Sequence, residues 1–242
     1  MIVSYEHNYI FIKTRKTAGT SLEIALSTHT GDADVITPVS ATDELTRAEN
    51  PRARLPQNFS ADPKLEHAYR EAVRSGKENH IKKFQSRDLK GKYIFRNHMP
   101  LAEIRSKLNS EFFARAFKFT IERHPFDRMI SLAYWKQRND NSIEISRKID
   151  QLLSERRLNN IEFYTLDGKV AVDYVVRYEN LREGLDAIGS RIGGPDLWDA
   201  LPRTKHTHRA DHRPAAEILS SHQKKRIVRQ CRQEFELFGY EA

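Results

Sequence analysis

The segment Phe11-Ile12-Lys13-Thr14-Arg15-Lys16-Thr17-Ala18-Gly19-Thr20-Ser21-Leu22 carries the residue types needed to hold a phosphate-like anion. Thr17, Ala18 and Gly19 are small enough to let a ligand approach the main chain. Thr20 and Ser21 bring hydroxyls to what reads as the start of a helix, whose first N–H groups lack partners inside the helix and favour an anion. Lys16 adds a positive point charge. The spacing is not that of a nucleoside triphosphatase loop, which needs Gly, four residues and then Gly-Lys-Ser/Thr; here the lysine precedes the glycine. Nor is it a dinucleotide fingerprint, which needs three spaced glycines. An ordinary strand-to-helix turn with a Thr or Ser cap would use the same residues.

Arg123 stands at the C-terminal end of a predicted strand, where open α/β sheets place their ligands. A guanidinium can clamp a phosphate with two parallel N–H groups, or serve an internal salt bridge instead. Ser131 follows on the next helix, where its hydroxyl can return to the same anion or face a neighbouring helix. His98, in Arg96-Asn97-His98-Met99-Pro100, lies between a predicted strand and a helix. It is the candidate proton acceptor, with turn capping as the structural alternative. His124 is expected to point away from the phosphate site, and Arg128 to pack and pair on the helix surface. A basic run, Arg203, Lys205, Arg209 and Arg213 with His206, His208 and His212, faces one acid, Asp211. It suits approach to a cofactor or acceptor better than metal binding, since no set of carboxylates or thiolates accompanies it.

These groups need strands that end side by side. Ile2-Val3-Ser4-Tyr5 and Tyr9-Ile10-Phe11-Ile12 are β-branched and aromatic, split by Glu6-His7-Asn8. Further strands are predicted at Tyr93-Ile94-Phe95, Ala116 to Ile121 and Val172 to Tyr178. Helices are predicted from Leu22, over 64–75, from Pro100 through Leu108, from Pro125, and over 142–155, 181–191 and 221–236. Residues 30–65, rich in Pro, Asp, Thr and Asn, read as mostly loop. Strands alternating with helices argue an α/β fold, a three-layer sandwich with a central parallel sheet and a P-loop-like strand–loop–helix start. The 242 residues suit one domain with a variable basic insert at about 30–92.

Composition narrows the function classes. No apolar run approaches the roughly 20 residues of a membrane span, and the N-terminus carries no secretory pattern. The lone Cys231 excludes an internal disulfide framework. A reducing, cytoplasmic setting is the default expectation. The net charge of +8 favours anionic partners: nucleic acid, phosphorylated cofactors or acidic glycans. Residues 46–92 hold 12 Lys/Arg against 6 Asp/Glu, which points to an anionic glycan acceptor or to an ordinary solvated surface.

Lys16-Thr17-Ala18-Gly19-Thr20-Ser21 resembles the 5′-phosphosulfate loop of sulfotransferases that use 3′-phosphoadenosine 5′-phosphosulfate (PAPS). Phe119-Thr120-Ile121-Glu122-Arg123-His124-Pro125, continuing through Arg128 and Ser131, resembles their 3′-phosphate element. Arg177-Tyr178-Glu179-Asn180-Leu181 and Glu234-Phe235-Glu236-Leu237-Phe238-Gly239-Tyr240 are similar to the carbohydrate branch of the family as it occurs in bacteria. Many relatives carry proline where this chain has Arg15, which makes the loop more basic. The resemblance implies transfer of a sulfuryl group from PAPS to a hydroxyl acceptor, a carbohydrate, with no metal. It implies that Lys16, Thr17, Ala18, Gly19, Thr20 and Ser21 grip the 5′ end. Lys16 would also offset charge on the leaving oxygen, Arg123 and Ser131 would hold the 3′-phosphate, and His98 would be the base. Two other classes compete: a P-loop small-molecule kinase, for which magnesium ligands and a triphosphate loop are not visible, and a basic nucleic-acid-binding protein, for which no binding signature is visible.

Overall fold

In the computed structural model, which describes residues 1–137, 142–155, 158–202, 211 and 213–242, the first two apolar runs form a hairpin of strands β1 (Ile2–Ser4) and β2 (Tyr9–Ile12). In chain order there follow α1 (Gly19–Leu26), β3 (Val35–Ile36), α2 (Ala41–Ala48), α3 (Pro63–Arg74), α4 (Glu78–Arg87), α5 (Leu101–Arg105), α6 (Ser110–Arg115), β4 (Phe117–Glu122), α7 (Pro125–Gln137) and α8 (Ile145–Ser154). The chain ends with β5 (Thr165–Leu166), β6 (Lys169–Val170), β7 (Tyr174–Arg177), α9 (Leu181–Ile192), α10 (Ala215–Ile218), α11 (Ser221–Gln230) and α12 (Arg232–Phe238).

Among the described residues the main sheet runs in the order β3-β1-β2-β4-β7. Strands β2, β4 and β7 are parallel, and β1 is antiparallel to both of its neighbours. The sheet is therefore mostly parallel, with the hairpin strand reversed. Strand β2 is apolar at every position because it is covered on both faces. Tyr9 and Phe11 pack with Leu22 and Leu26 of α1 and Leu185 and Ile188 of α9. Ile10 and Ile12 pack on the other face with Leu101 and Ile104 of α5 and Phe112 of α6. These are the three layers. Helices α7, α8, α11 and α12 enclose a further apolar cluster around Met129, Ile149 and Ile227. No helix among the described residues is long and apolar enough to cross a membrane.

Residues 30–65 are mostly loop, as expected, interrupted by β3, which pairs with β1, and by α2, which is capped by Ser40, whose hydroxyl accepts from Asp43 N–H. Two local expectations are corrected. Tyr93-Ile94-Phe95 is not a strand. The N–H groups of Ile94 and Phe95 both donate to the Phe59 carbonyl, at 2.8 and 3.1 Å, so the segment is tied to the α2–α4 region and not to the sheet. The helix predicted over 221–236 breaks at Cys231 into α11 and α12.

The register of β2 on β4 decides where the chemistry sits. Ile12 lies opposite Thr120, and the Thr120 hydroxyl donates to the Ile12 carbonyl at 2.8 Å. The residues that follow the two strands, Lys13 onward and Arg123 onward, therefore leave the sheet side by side at its C-terminal edge, where parallel sheets bind ligands.

Candidate functional site

The loop between β2 and α1 is held from below. The Thr14 hydroxyl donates to the Ile121 carbonyl of β4, and its oxygen lies 2.9 Å from the Thr17 hydroxyl. Thr17 is thus turned inward and buried, so what it can offer a ligand is its main-chain N–H. Lys16 and Ala18 both have positive φ, 60° and 61°. A side chain disfavours that region, and non-glycine residues held there cluster at binding sites. A Cβ on Gly19 would lie 2.9 Å from Lys13 Cγ, so the close approach of that side chain requires glycine. Ala18 caps α1 in the left-handed conformation, which leaves the half-buried Thr20 and the more buried Ser21 in its first turn. The Lys16 ammonium lies 5.4 Å from the ring centroid of Trp135 near the end of α7.

Helix α7 links the loop to Arg123. Asp127, Ser131 and Trp135 recur every four residues and share one face of it. Arg123 Nη2 is 3.9 Å from Asp127 Oδ1, and the guanidinium lies 4.2 Å from the Tyr178 ring centroid. Its Nε is buried with no hydrogen-bond partner. A buried unpaired guanidinium N–H is costly, which makes this atom a donor suited to an incoming anion. Ser131 is half-buried on the same helix face. Tyr178, the ring under Arg123, belongs to the stretch that resembled the carbohydrate branch, but the sequence alone suggested no role for it.

His98 occupies a turn with φ 53° and not a strand end. Its Nδ1 lies 3.1 Å from the Lys13 carbonyl, and its ring centroid is 6.2 Å from that of Phe163, which also carries the Arg15 guanidinium at 4.8 Å. A carbonyl can only accept, so Nδ1 carries the proton and Nε2 keeps a lone pair. Burial, then the charge of Lys13, pull the imidazole pKa down to about 3. The histidine is therefore neutral at ordinary pH.

Two buried ion networks support these groups. Beneath the loop, Glu23 of α1 meets Lys13 Nζ at 2.9 Å and Arg47 Nη2 at 3.5 Å, and Arg47 meets Glu44 at 2.9 Å. Burial alone would raise the Glu23 pKa, but Lys13, the Met1 amino group and Arg47 outweigh it and bring it to about 2. Arg47 is thus a core cation, not part of an open basic surface. Arg54, Arg70, Arg74 and Lys82 of the 46–92 segment also lie within ion-pair distance of carboxylates. Beneath Arg123, Arg128 is buried between Glu122 and Glu234, so it is structural but internal. Glu122 also accepts from Tyr164 at 3.1 Å and from Asn160 at 3.3 Å, and Asn160 bonds the main chain of Arg15. His124 packs against Phe126, Phe235 and Tyr240, away from the loop. The motif ending at Tyr240 thus closes over the same strand end. Asn160 had no sequence signal: its partners are 145 and 38 residues away.

The structure so brings the loop, Arg123 and His98 to one edge of the sheet. A cavity of about 1020 Å³ between α2 and α3, lined in part by Leu45, Arg54, Arg70 and Val73, includes none of them. Among the described residues no group of three or more His, Cys, Asp or Glu is placed to hold a metal ion. In the basic run, residues 203–210 and 212 lie outside the described residues; Arg213 pairs with Asp211 at 2.6 Å. The model of the sulfotransferase family matches residues 1–241. No curated protein and no solved structure matches the chain.

Proposed function

The chain belongs to the sulfotransferase family, and from that premise we propose that it moves a sulfuryl group from PAPS to a hydroxyl of a carbohydrate acceptor, with residues 1–242 working as one catalytic domain. The observation that carries the donor assignment is the pairing of two anion-ready elements on adjacent parallel strands. One is the Lys16 loop after β2. The other is Arg123 after β4, whose Nε is buried without a partner. A donor with phosphate groups at both ends of a nucleoside fits that pair, whereas a triphosphate would need a loop of different glycine spacing.

Bound PAPS would supply the sulfuryl group and a phosphate leaving group. The chain's own residues do the rest. The Lys16 ammonium and the N–H groups from Thr17 to Ser21, with the hydroxyls of Thr20 and Ser21, offset negative charge at the 5′ end. Arg123, held on the Tyr178 ring, and Ser131 receive the 3′-phosphate. His98 Nε2 takes the acceptor proton while the Lys13 carbonyl keeps Nδ1–H in place. Transfer of this kind relies on placement and charge more than on covalent chemistry, so these cations can serve without a metal.

The test is transfer of radiolabelled sulfate from PAPS across a panel of polysaccharides, lipids and small alcohols, with calorimetric binding of 3′-phosphoadenosine 5′-phosphate (PAP). The reading expects PAP to bind and a polysaccharide to be labelled. Binding of magnesium ATP in preference to PAP would overturn the donor. Labelling confined to lipids or small alcohols would overturn the acceptor.

A further inference from the structure

We propose that Asn160 is a positioning residue that clamps the Lys16 loop to the root of Arg123 and sets the span between the two ends of the donor site; this rests on the donor reading above. Asn160 is 0% exposed. Its carboxamide faces the main chain of Arg15 with both ends. Oδ1 accepts the Arg15 N–H at 3.0 Å, and Nδ2 donates to the Arg15 carbonyl at 3.0 Å. This is the two-bond pattern that a neighbouring strand would offer, supplied by one side chain. The second Nδ2 hydrogen reaches Glu122 Oε1 at 3.3 Å, and the same oxygen accepts the Arg123 N–H at 3.0 Å. The Asn160 main-chain N–H donates to Glu234 Oε1 at 3.1 Å, which fixes the clamp to the Arg128 network.

The loop needs such a clamp. Lys16 and Ala18 hold positive φ without the freedom of glycine, and that backbone persists only where its surroundings over-determine it. Arg15 is the residue directly before Lys16, so a carboxamide that locks both of its main-chain polar groups orients the strained turn. The carboxamide accepts one bond there and donates two, to Arg15 and to Glu122, from a single planar group. A carboxylate would meet Glu122, and an apolar side chain would leave both Arg15 groups without these bonds. Asn160 touches no reacting atom, and its effect is to hold the 5′-side loop in register with Arg123.

The experiment separates the two ends of the donor. Calorimetry on the full chain compares adenosine 5′-phosphosulfate, which engages the loop, with adenosine 3′-phosphate, which engages Arg123. The variants are Asn160→Ala and the volume-conserving Asn160→Leu. The clamp predicts at least fivefold weaker binding of adenosine 5′-phosphosulfate in both variants and adenosine 3′-phosphate within twofold of the parent. Equal weakening of both ligands would make Asn160 a general core residue and overturn the proposal. Unchanged binding of both would overturn it too, as would failure of both variants to fold by near-ultraviolet circular dichroism. If the parent itself binds neither nucleotide, the donor reading falls first and the clamp with it.

Discussion

Nδ1 of His98 lies 3.1 Å from the main-chain oxygen of Lys13, the residue that opens the anion loop. One hydrogen bond therefore fixes both the position and the tautomer of the candidate base. The strand–loop junction proposed to hold the donor's 5′ end thus also orients the proposed proton acceptor. His98→Asn, chosen because asparagine tolerates the positive φ of 53°, should keep PAP affinity and lower turnover by roughly 10²–10⁴-fold. Turnover near the parent's would remove His98 from the mechanism.

The same residue sets a pH dependence. Burial and Lys13 lower its pKa from 6.5 to about 3 in the folded chain. Between those values the unfolded chain binds a proton that the folded chain refuses. Its contribution to stability is therefore complete above pH 6.5 and is lost as pH falls toward 3, at up to about 1.4 kcal/mol per unit. Imidazole carbon shifts in NMR should report a neutral ring at pH 5 in the free protein. Bound PAP, being anionic, should raise that pKa, so the acid limb of kcat should lie at higher pH than that of kcat/KM.

Lys16→Ala and Arg123→Ala should each retain the fold and weaken PAP binding by about 10-fold or more, since a charge-assisted hydrogen bond contributes ~1.5–3 kcal/mol. Calorimetry with thermal melts of the same samples checks both halves. Parental affinity in both variants would mean the donor lies elsewhere.

Glu23→Gln should be strongly destabilising, by about 3–5 kcal/mol in urea unfolding, because it leaves Lys13 buried without its carboxylate and Arg47 with Glu44 alone in place of two carboxylates. The lowered Glu23 pKa of about 2 also predicts acid sensitivity in the parent. Its contribution is present above the ordinary carboxyl value of 4.5 and is lost as pH falls from there toward 2. The variant should lack that part of the acid limb.

Cys231 should be inert in the native protein. It is 0% exposed, and burial pushes its thiol pKa up to about 12. A disulfide-exchange reagent at pH 8 should label it only in denaturant, because the thiolate is the reacting form. Rapid labelling without denaturant would show that the break between α11 and α12 opens.

The loop and Arg123 were legible because their signals are local. An apolar β-branched run, a lysine beside small residues and a glycine, and a proline opening the next helix each announce a strand end without knowledge of the rest of the chain. The α/β class followed from the same alternation. The short strand predicted at Tyr93-Ile94-Phe95 failed for the opposite reason. Three apolar residues do not say which partner they will meet, and here the Phe59 carbonyl, not a sheet edge, takes the N–H groups of Ile94 and Phe95.

By itself, then, the sequence determined the α/β alternation, the strand–loop–helix that carries Lys16, and the placing of Arg123 after a strand. All of these depend on neighbours in the chain. Only the tertiary structure decided that Asn160 grips Arg15 from 145 residues away, that Arg47 is spent in a buried network with Glu23, and that His98 presents Nε2 because Lys13 holds Nδ1. The physical reason is common to the three. A buried polar group must find partners wherever the fold brings them, and those partners leave no periodicity or spacing in the sequence to be read.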